Sequence, residues 1–302
     1  MIWLIFAITA YFINAVNGII DKFLLVGAIP DPLVYAFYVG LFSIFSLVLA
    51  PFGLIWPGLM QFFASLGVGI LFLISLYFLY RLLKEYEVSK VLPIVGGLMP
   101  IFVFILEHFL IGDSLRQNEI IAFVLLVLGS ILISFEKKSI GQARFRQYSL
   151  ALFGSSIVVS LLFALYYVSF KLVFISQPFI TGFVLTRVGC FLGALLIFSL
   201  PLARKKIFSN YRGLKIKSGG LFVSNKALAG LASLLLAYAV AKGNVSLVNA
   251  LQGTQYAFLF ALTFLISWKS PKLLKENFRR AIFAQKIIAI VVIAVGLFIL
   301  AA

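Results

Sequence analysis

Apolar residues in this chain come in unbroken runs, separated by short stretches that hold most of the charges. Runs of about 20 residues are long enough to cross a bilayer as helices. Ten such spans are predicted, with approximate limits 2–21, 33–50, 59–80, 91–111, 119–135, 149–174, 179–200, 221–241, 246–267 and 283–301. The strict alternation of an outer-membrane barrel is absent. The expected fold is therefore all-α and polytopic. The first run, MIWLIFAITAYFINAVNGII, has no charged leader and no small-residue cleavage site, so it is expected to be a retained span.

Polar residues inside such runs carry the most information, because a polar group facing lipid is costly. In NVSLVNALQGTQYAF (244–258), Asn249, Gln252 and Gln255 or Tyr256 recur at three- and four-residue steps. They form one helical stripe, expected to face the bundle interior. Such a stripe either bonds neighbouring helices, at about 0.6 kcal/mol a contact, or lines a wet cavity. Span 1 offers Asn14, Asn17 and then Asp21–Lys22 at helical spacing; Lys22 either joins that cavity or snorkels to the interface. Span 6 carries Tyr166, Tyr167 and Lys171, and span 3 carries Tyr77 and Tyr80. Arg187 lies too far inside span 7 to snorkel easily, and marks either a buried ion pair or a functional site. Spans 4 and 1 offer Glu107 and Asp21 only at their ends, and no span has a central Asp or Glu. His108 reads as interfacial. GCFLG (189–193) is a small-residue packing motif.

Composition strengthens the membrane reading. Only 11% of residues are charged and 63% are hydrophobic, against roughly 25% charged in a soluble domain. The formal charge of +16 would suggest nucleic acid in a soluble protein. Here the basic residues cluster between spans, where they set topology and meet anionic headgroups. Of 25 Lys and Arg, all but Arg116, Lys171, Arg187 and Lys242 fall after odd-numbered spans. The positive-inside rule makes those connections cytoplasmic and both termini external. The lone Cys190 excludes an intramolecular disulfide.

The two halves also resemble each other. NEIIAFVLLVLGSILI (118–133) aligns without gaps on QKIIAIVVIAVGLFIL (285–300), and EVSKVLPIVGG (87–97) on NVSLVNALQGT (244–254); Lys22 and Lys171 both close on a span end. Five spans per copy invert the second copy, giving repeats at 1–136 and 149–302 joined by a basic linker at 137–148. Inverted repeats place a site between the halves near the midplane and point to alternating access.

These features carry a family resemblance. GIIDKFLL at the end of span 1, the core LYFLYRLLKEYEVSKVLPIVGGLMPIFVFILEHFLIGDSL with Pro93, Pro100 and Glu107, and the span-5 pattern IIAFVLLVLGSILI resemble the drug/metabolite transporter superfamily in its ten-helix EamA-type form. The second copy departs from the pattern, with Ala250 and Ala257 at the proline positions and Phe264 in place of the acid. The resemblance implies ten helices in two inverted repeats and transport of a metabolite. It also implies cytoplasmic termini, opposite to the charge count, which is followed here.

No metal-ligand cluster or acid-rich prenyltransferase motif is present, so no enzyme activity, metal or cofactor is expected. The expected function is a secondary transporter of the cell membrane, carrying a small anionic or zwitterionic metabolite. The expected binding residues are Asn14, Asn17, Lys22, Tyr167, Lys171, Arg187, Asn249, Gln252, Gln255 and Tyr256. Expected partners are the substrate and membrane lipids, not nucleic acid, with a monomer or homodimer as the assembly. A flippase for a lipid-linked substrate and a non-transporting scaffold are the alternatives.

Overall fold

A computed structural model describes residues 2–27, 31–86, 88–134, 142–211, 216–269 and 280–301. Among these residues every regular element is helical. The order is α1 (Ile2–Gly27), α2 (Pro32–Phe42) running into a 3₁₀ segment (Ser43–Phe52), α3 (Leu59–Glu85), α4 (Val88–Leu110), α5 (Gln117–Ser134), α6 (Gln142–Ser176), α7 (Phe179–Ser199), α8 (Pro201–Tyr211), α9 (Ile216–Lys242), α10 (Val245–Ala250), α11 (Gln252–Lys269) and α12 (Arg280–Ala301).

Eight helical segments are long and apolar enough to cross a membrane, as a multi-pass integral membrane protein requires; Ile94–Leu110 and Gln117–Ile133 are shorter apolar helices. Hydroxyls inside these helices satisfy themselves locally. Ser65, Ser75 and Ser130 each donate to the carbonyl four residues back, at 2.8, 2.8 and 2.6 Å.

Local chemistry sets the breaks. Asp31 caps α2 by accepting from the N–H groups of Leu33 at 2.9 Å and Val34 at 3.4 Å, with Pro32 at the first helical position. Gly53 (φ 139°) and Gly58 (φ 95°) take backbone conformations that other residues avoid, and turn the chain into α3. Pro178 ends the α6 direction and opens α7.

Four details differ from the expected spans. The stretch 201–211, read as loop, is the helix α8, because Ala203 and Ile207 bury one turn apart while Arg204 and Lys205 face out. Helix α6 begins at Gln142, within the stretch expected as a linker. The second span finishes as 3₁₀ helix, with Pro51 near its end. The ninth span is interrupted at Leu251, dividing α10 from α11.

The bundle is organised by close pairs: α5 with α12, α3 with α7, α1 with α9, and α4 with α6. Along α3 and α7 the backbones touch. A Cβ added at Gly69 would lie 2.0 Å from the Thr186 carbonyl oxygen, and one at Gly189 would lie 2.2 Å from that of Leu66. The motif around Gly189 thus packs inside the bundle.

Candidate functional site

Helix α7 is the most buried of the apolar helices and places Arg187 in its middle. The side chain reaches between three neighbours. A terminal guanidinium nitrogen donates to the Ser233 hydroxyl on α9. The guanidinium carbon lies 5.1 Å from the ring centre of Phe72 on α3 and 5.2 Å from that of Phe183, within cation–π range. Tyr166 and Tyr167 of α6 lie within its electrostatic reach. Its Nε is buried without a partner. Among the described residues no carboxylate pairs with it.

Buried phenols extend this site. Tyr11 of α1 donates to the Val248 carbonyl at 2.8 Å, just before the α10–α11 break, where a free carbonyl needs a donor. Tyr256 of α11 lies against Gly96 of α4, so closely that a Cβ there would sit 2.7 Å from its hydroxyl. Tyr11, Tyr167 and Tyr256 interact with one another.

The expected polar stripe divides at the break. Asn249 is fully buried, and its amide donates back to Val245 at 2.8 Å, leaving Oδ1 unpartnered. Gln252 and Gln255 are half-buried at the start of α11, and the Gln252 carbonyl oxygen has no partner. On α1, Asn14 is half-buried. Asn17 is 5% exposed, with both amide atoms buried and unpartnered. Orphaned amides in an apolar bundle are costly. They mark places where water or a ligand completes the bonding.

The two lysines fare differently. The side chain of Lys22 lies outside the described residues. Lys171 is held by three carbonyls at the end of α9, donating to Val240 at 3.0 Å, Ala241 at 3.2 Å and Gly243 at 2.7 Å. It closes a helix C-terminus, where a cation is favoured. That role occupies its donors. Beside it, Glu107 accepts from the N–H groups of Val245 at 3.0 Å and Ser246 at 2.9 Å and from the Ser246 hydroxyl, capping α10.

At the opposite, basic end Asp21 meets three residues that sequence reading did not place in a site, Tyr35, Asn225 and Lys226. Asp21 accepts from Tyr35 of α2 at 2.5 Å, and from Asn225 at 2.5 Å and Lys226 at 3.2 Å on α9. Lys226 also donates to the Tyr35 hydroxyl at 2.7 Å, and its side chain is 7% exposed. Lys226 reads in sequence as one of many topology-setting cations, and nothing local distinguishes it. Farther out, a cavity of about 420 Å³ is lined by Asp31, Tyr77, Arg81, Lys84, Glu85 and Lys206 among others.

No family model and no curated protein matches the chain. Twenty-four chains of solved structures do. One crystal structure is similar over 98% of this chain and 94% of its own, at 14% identity and a TM-score of 0.70. At that identity the likeness shows the fold alone.

Proposed function

We propose that the protein is a secondary transporter of the drug/metabolite type, with ten spans in two inverted five-helix repeats. Its cargo in this reading is a small anionic or zwitterionic metabolite, carried by alternating access. The repeat is supported by element lengths, since α3 and α9 are each 27 residues. It is supported again by Tyr38-Val39-Gly40-Leu41-Phe42, which aligns on Arg187-Val188-Gly189-Cys190-Phe191.

The observation that carries the function is Arg187, a midplane cation with no carboxylate partner among the described residues and one buried donor unused. An incoming carboxylate or phosphate would receive charge-assisted, bidentate hydrogen bonds from that fork and relieve its desolvation. Ser233 and the Tyr166 and Tyr167 phenols lie on the guanidinium side of the site, Tyr256 lies beyond Tyr167, and the unpartnered Asn17 and Gln252 amides are suited to a second polar pole. The positive-inside rule puts the basic end in the cytoplasm.

Purified protein in a thermal-shift screen over metabolite classes, followed by flux in proteoliposomes, tests this reading. A ligand at 100 times its dissociation constant adds about 2.7 kcal/mol. Arg187→Lys keeps the charge but loses the fork and should weaken binding; Arg187→Gln should lower affinity at least about tenfold. Robust transport of a quaternary ammonium compound, undiminished in Arg187→Gln, would sink the proposal.

A further inference from the structure

We infer that the seam where α2 meets the α1–α9 pair at the basic end is the gate of the molecule, and that Tyr35, held by Asp21 and Lys226, is its latch. The inference rests on the reading above for its purpose and for the repeat, whereas the side-chain contacts at the seam stand apart from it.

The internal repeat sets two helix pairs against each other. The alignment that sets 87–97 on 244–254 carries Gly69 onto Lys226 without a gap, and Gly40 falls on Gly189. The α3–α7 and α9–α2 helix pairs are therefore counterparts in the repeat, although Gly40 itself packs against Cys190 and Ala194 of α7. They are built differently. In the first, Gly69 and Gly189 bring backbone against backbone, closer than any side chain allows. Such a contact has no side chains to withdraw.

In the second, lysine stands where the first has glycine. Helices α9 and α2 are not packed backbone to backbone as α3 and α7 are, and touch through side chains. Phe222 meets the rings of Tyr38 and Phe42 at 5.8 Å each and Tyr35 at 6.2 Å. Lys226 lies 4.5 Å from the Tyr35 ring centre and pairs with Asp21 at 3.2 Å. Tyr80 of α3 backs the cluster, 4.7 Å from Tyr35. The contacts of Tyr35, Tyr38 and Phe42 can part by a rigid shift of α2 away from the α1–α9 pair, with no helix unwinding and with Lys226 still beside Asp21.

Solvation gives the latch two states. Closed, the Tyr35 hydroxyl bonds Asp21, which is about a quarter exposed, and Lys226, which is nearly dry. Opened, water replaces that hydroxyl on both charges, which stay paired, so the open state leaves no unpaired charge buried. Asn17 lies one turn behind Asp21 on α1, with its amide unpartnered. The latch therefore stands between the basic end and the orphaned amides of the candidate site.

The test is chemical accessibility. In a Cys190→Ala background, Asn17→Cys is the reporter, probed with membrane-impermeant maleimide from each side of oriented vesicles. Asp21→Asn and Lys226→Met should each raise labelling from the basic end by roughly tenfold, and leave the other side unchanged. The exchange Asp21→Lys with Lys226→Asp should bring it back down. A reducible bifunctional thiosulfonate that bridges Tyr38→Cys and Phe222→Cys, whose rings meet at 5.8 Å, should suppress labelling until it is reduced, which keeps the test valid where a single variant folds poorly. Labelling that ignores both the latch variants and the cross-link overturns the gate, even if flux is robust. Labelling that follows them while no metabolite class is transported upholds the gate and rejects the transport reading.

Discussion

The two ends of the bundle each hold a carboxylate and a lysine that are buried or half-buried, and they use them in opposite ways. At one end Glu107 terminates on the N–H groups of Val245 and Ser246, and Lys171 terminates on the carbonyls of Val240, Ala241 and Gly243. At the basic end Asp21 and Lys226 terminate on each other and on Tyr35 and Asn225. Parting Glu107 or Lys171 from its partners strips backbone N–H or carbonyl groups at a helix end that have no intrahelical partner. Parting α2 from α1 and α9 strips only side chains, which water can solvate. The same four charges therefore make a fixed joint at Gly243–Asn244 and a separable one at α1–α2–α9.

The fixed joint should be the more expensive to damage. Glu107→Leu strips the cap from two buried N–H groups and a hydroxyl, at about 1–3 kcal/mol for each group left unsatisfied. It is expected to give the largest loss of thermal stability, together with poor expression; Glu107→Gln keeps one acceptor and should fall between it and wild type. A melting curve for Glu107→Leu that overlays the wild type would break the comparison at its stronger side.

Lys171→Met comes next. It removes three hydrogen bonds and a favourable helix-end charge but also removes a desolvated cation, so the net loss should be about 1–2 kcal/mol. Because its donors are occupied, substrate affinity in the folded fraction should not change. Affinity that falls with stability unchanged would return Lys171 to the binding site.

Lys226→Met should cost less again. Asp21 is about a quarter exposed and keeps the Tyr35 and Asn225 donors, so no isolated charge is buried. A loss of about 1 kcal/mol or less is expected from differential scanning fluorimetry. A larger loss than that of Glu107→Leu would mean that the latch is a structural joint and not a gate.

How much of this was legible beforehand follows from what each feature depends on. Hydropathy located the helices because burial in lipid is a property of a run of residues, and Arg187 stood out because a charge inside such a run needs a reason. Glu107 and Lys226 were visible but ordinary. One lay at a span end, the other among many cations, and their partners are Val245 and Asp21, far away in sequence. Pairing of that kind is a tertiary fact. The stripe of Asn249, Gln252 and Gln255 was read as one helical face, yet the break at Leu251 turns Asn249 back on its own helix. Helix α8 was missed because its eleven residues carry too many charges for a span and too few for hydropathy to resolve an amphipathic turn.

The smallest effect belongs to a third ion pair, Asp31 with Lys206 at 3.1 Å, which lies outside the apolar spans and joins α2 to α8. Partial burial pushes the Asp31 carboxyl up. The Lys206 ammonium and the N–H groups of Leu33 and Val34 outweigh that and hold it below the ordinary carboxylate range. A depressed folded value means that stability is present above the unfolded value, near 4, and is lost as pH falls through the folded value. Lys206 is 57% exposed, so screening keeps the ion-pair share well under about 1 kcal/mol. Asp31→Asn retains the cap on Leu33 and should lose only that share, whereas Asp31→Ala loses the cap as well, at about 1 kcal/mol. Melting curves of the three proteins should therefore separate at pH 7 in the order wild type, Asn, Ala. Below about pH 4 wild type and Asn should converge, because protonated Asp31 no longer pairs with Lys206. Wild type and Asn that remain equally far apart there would show that the pair, unlike the one at Asp21, contributes nothing through charge.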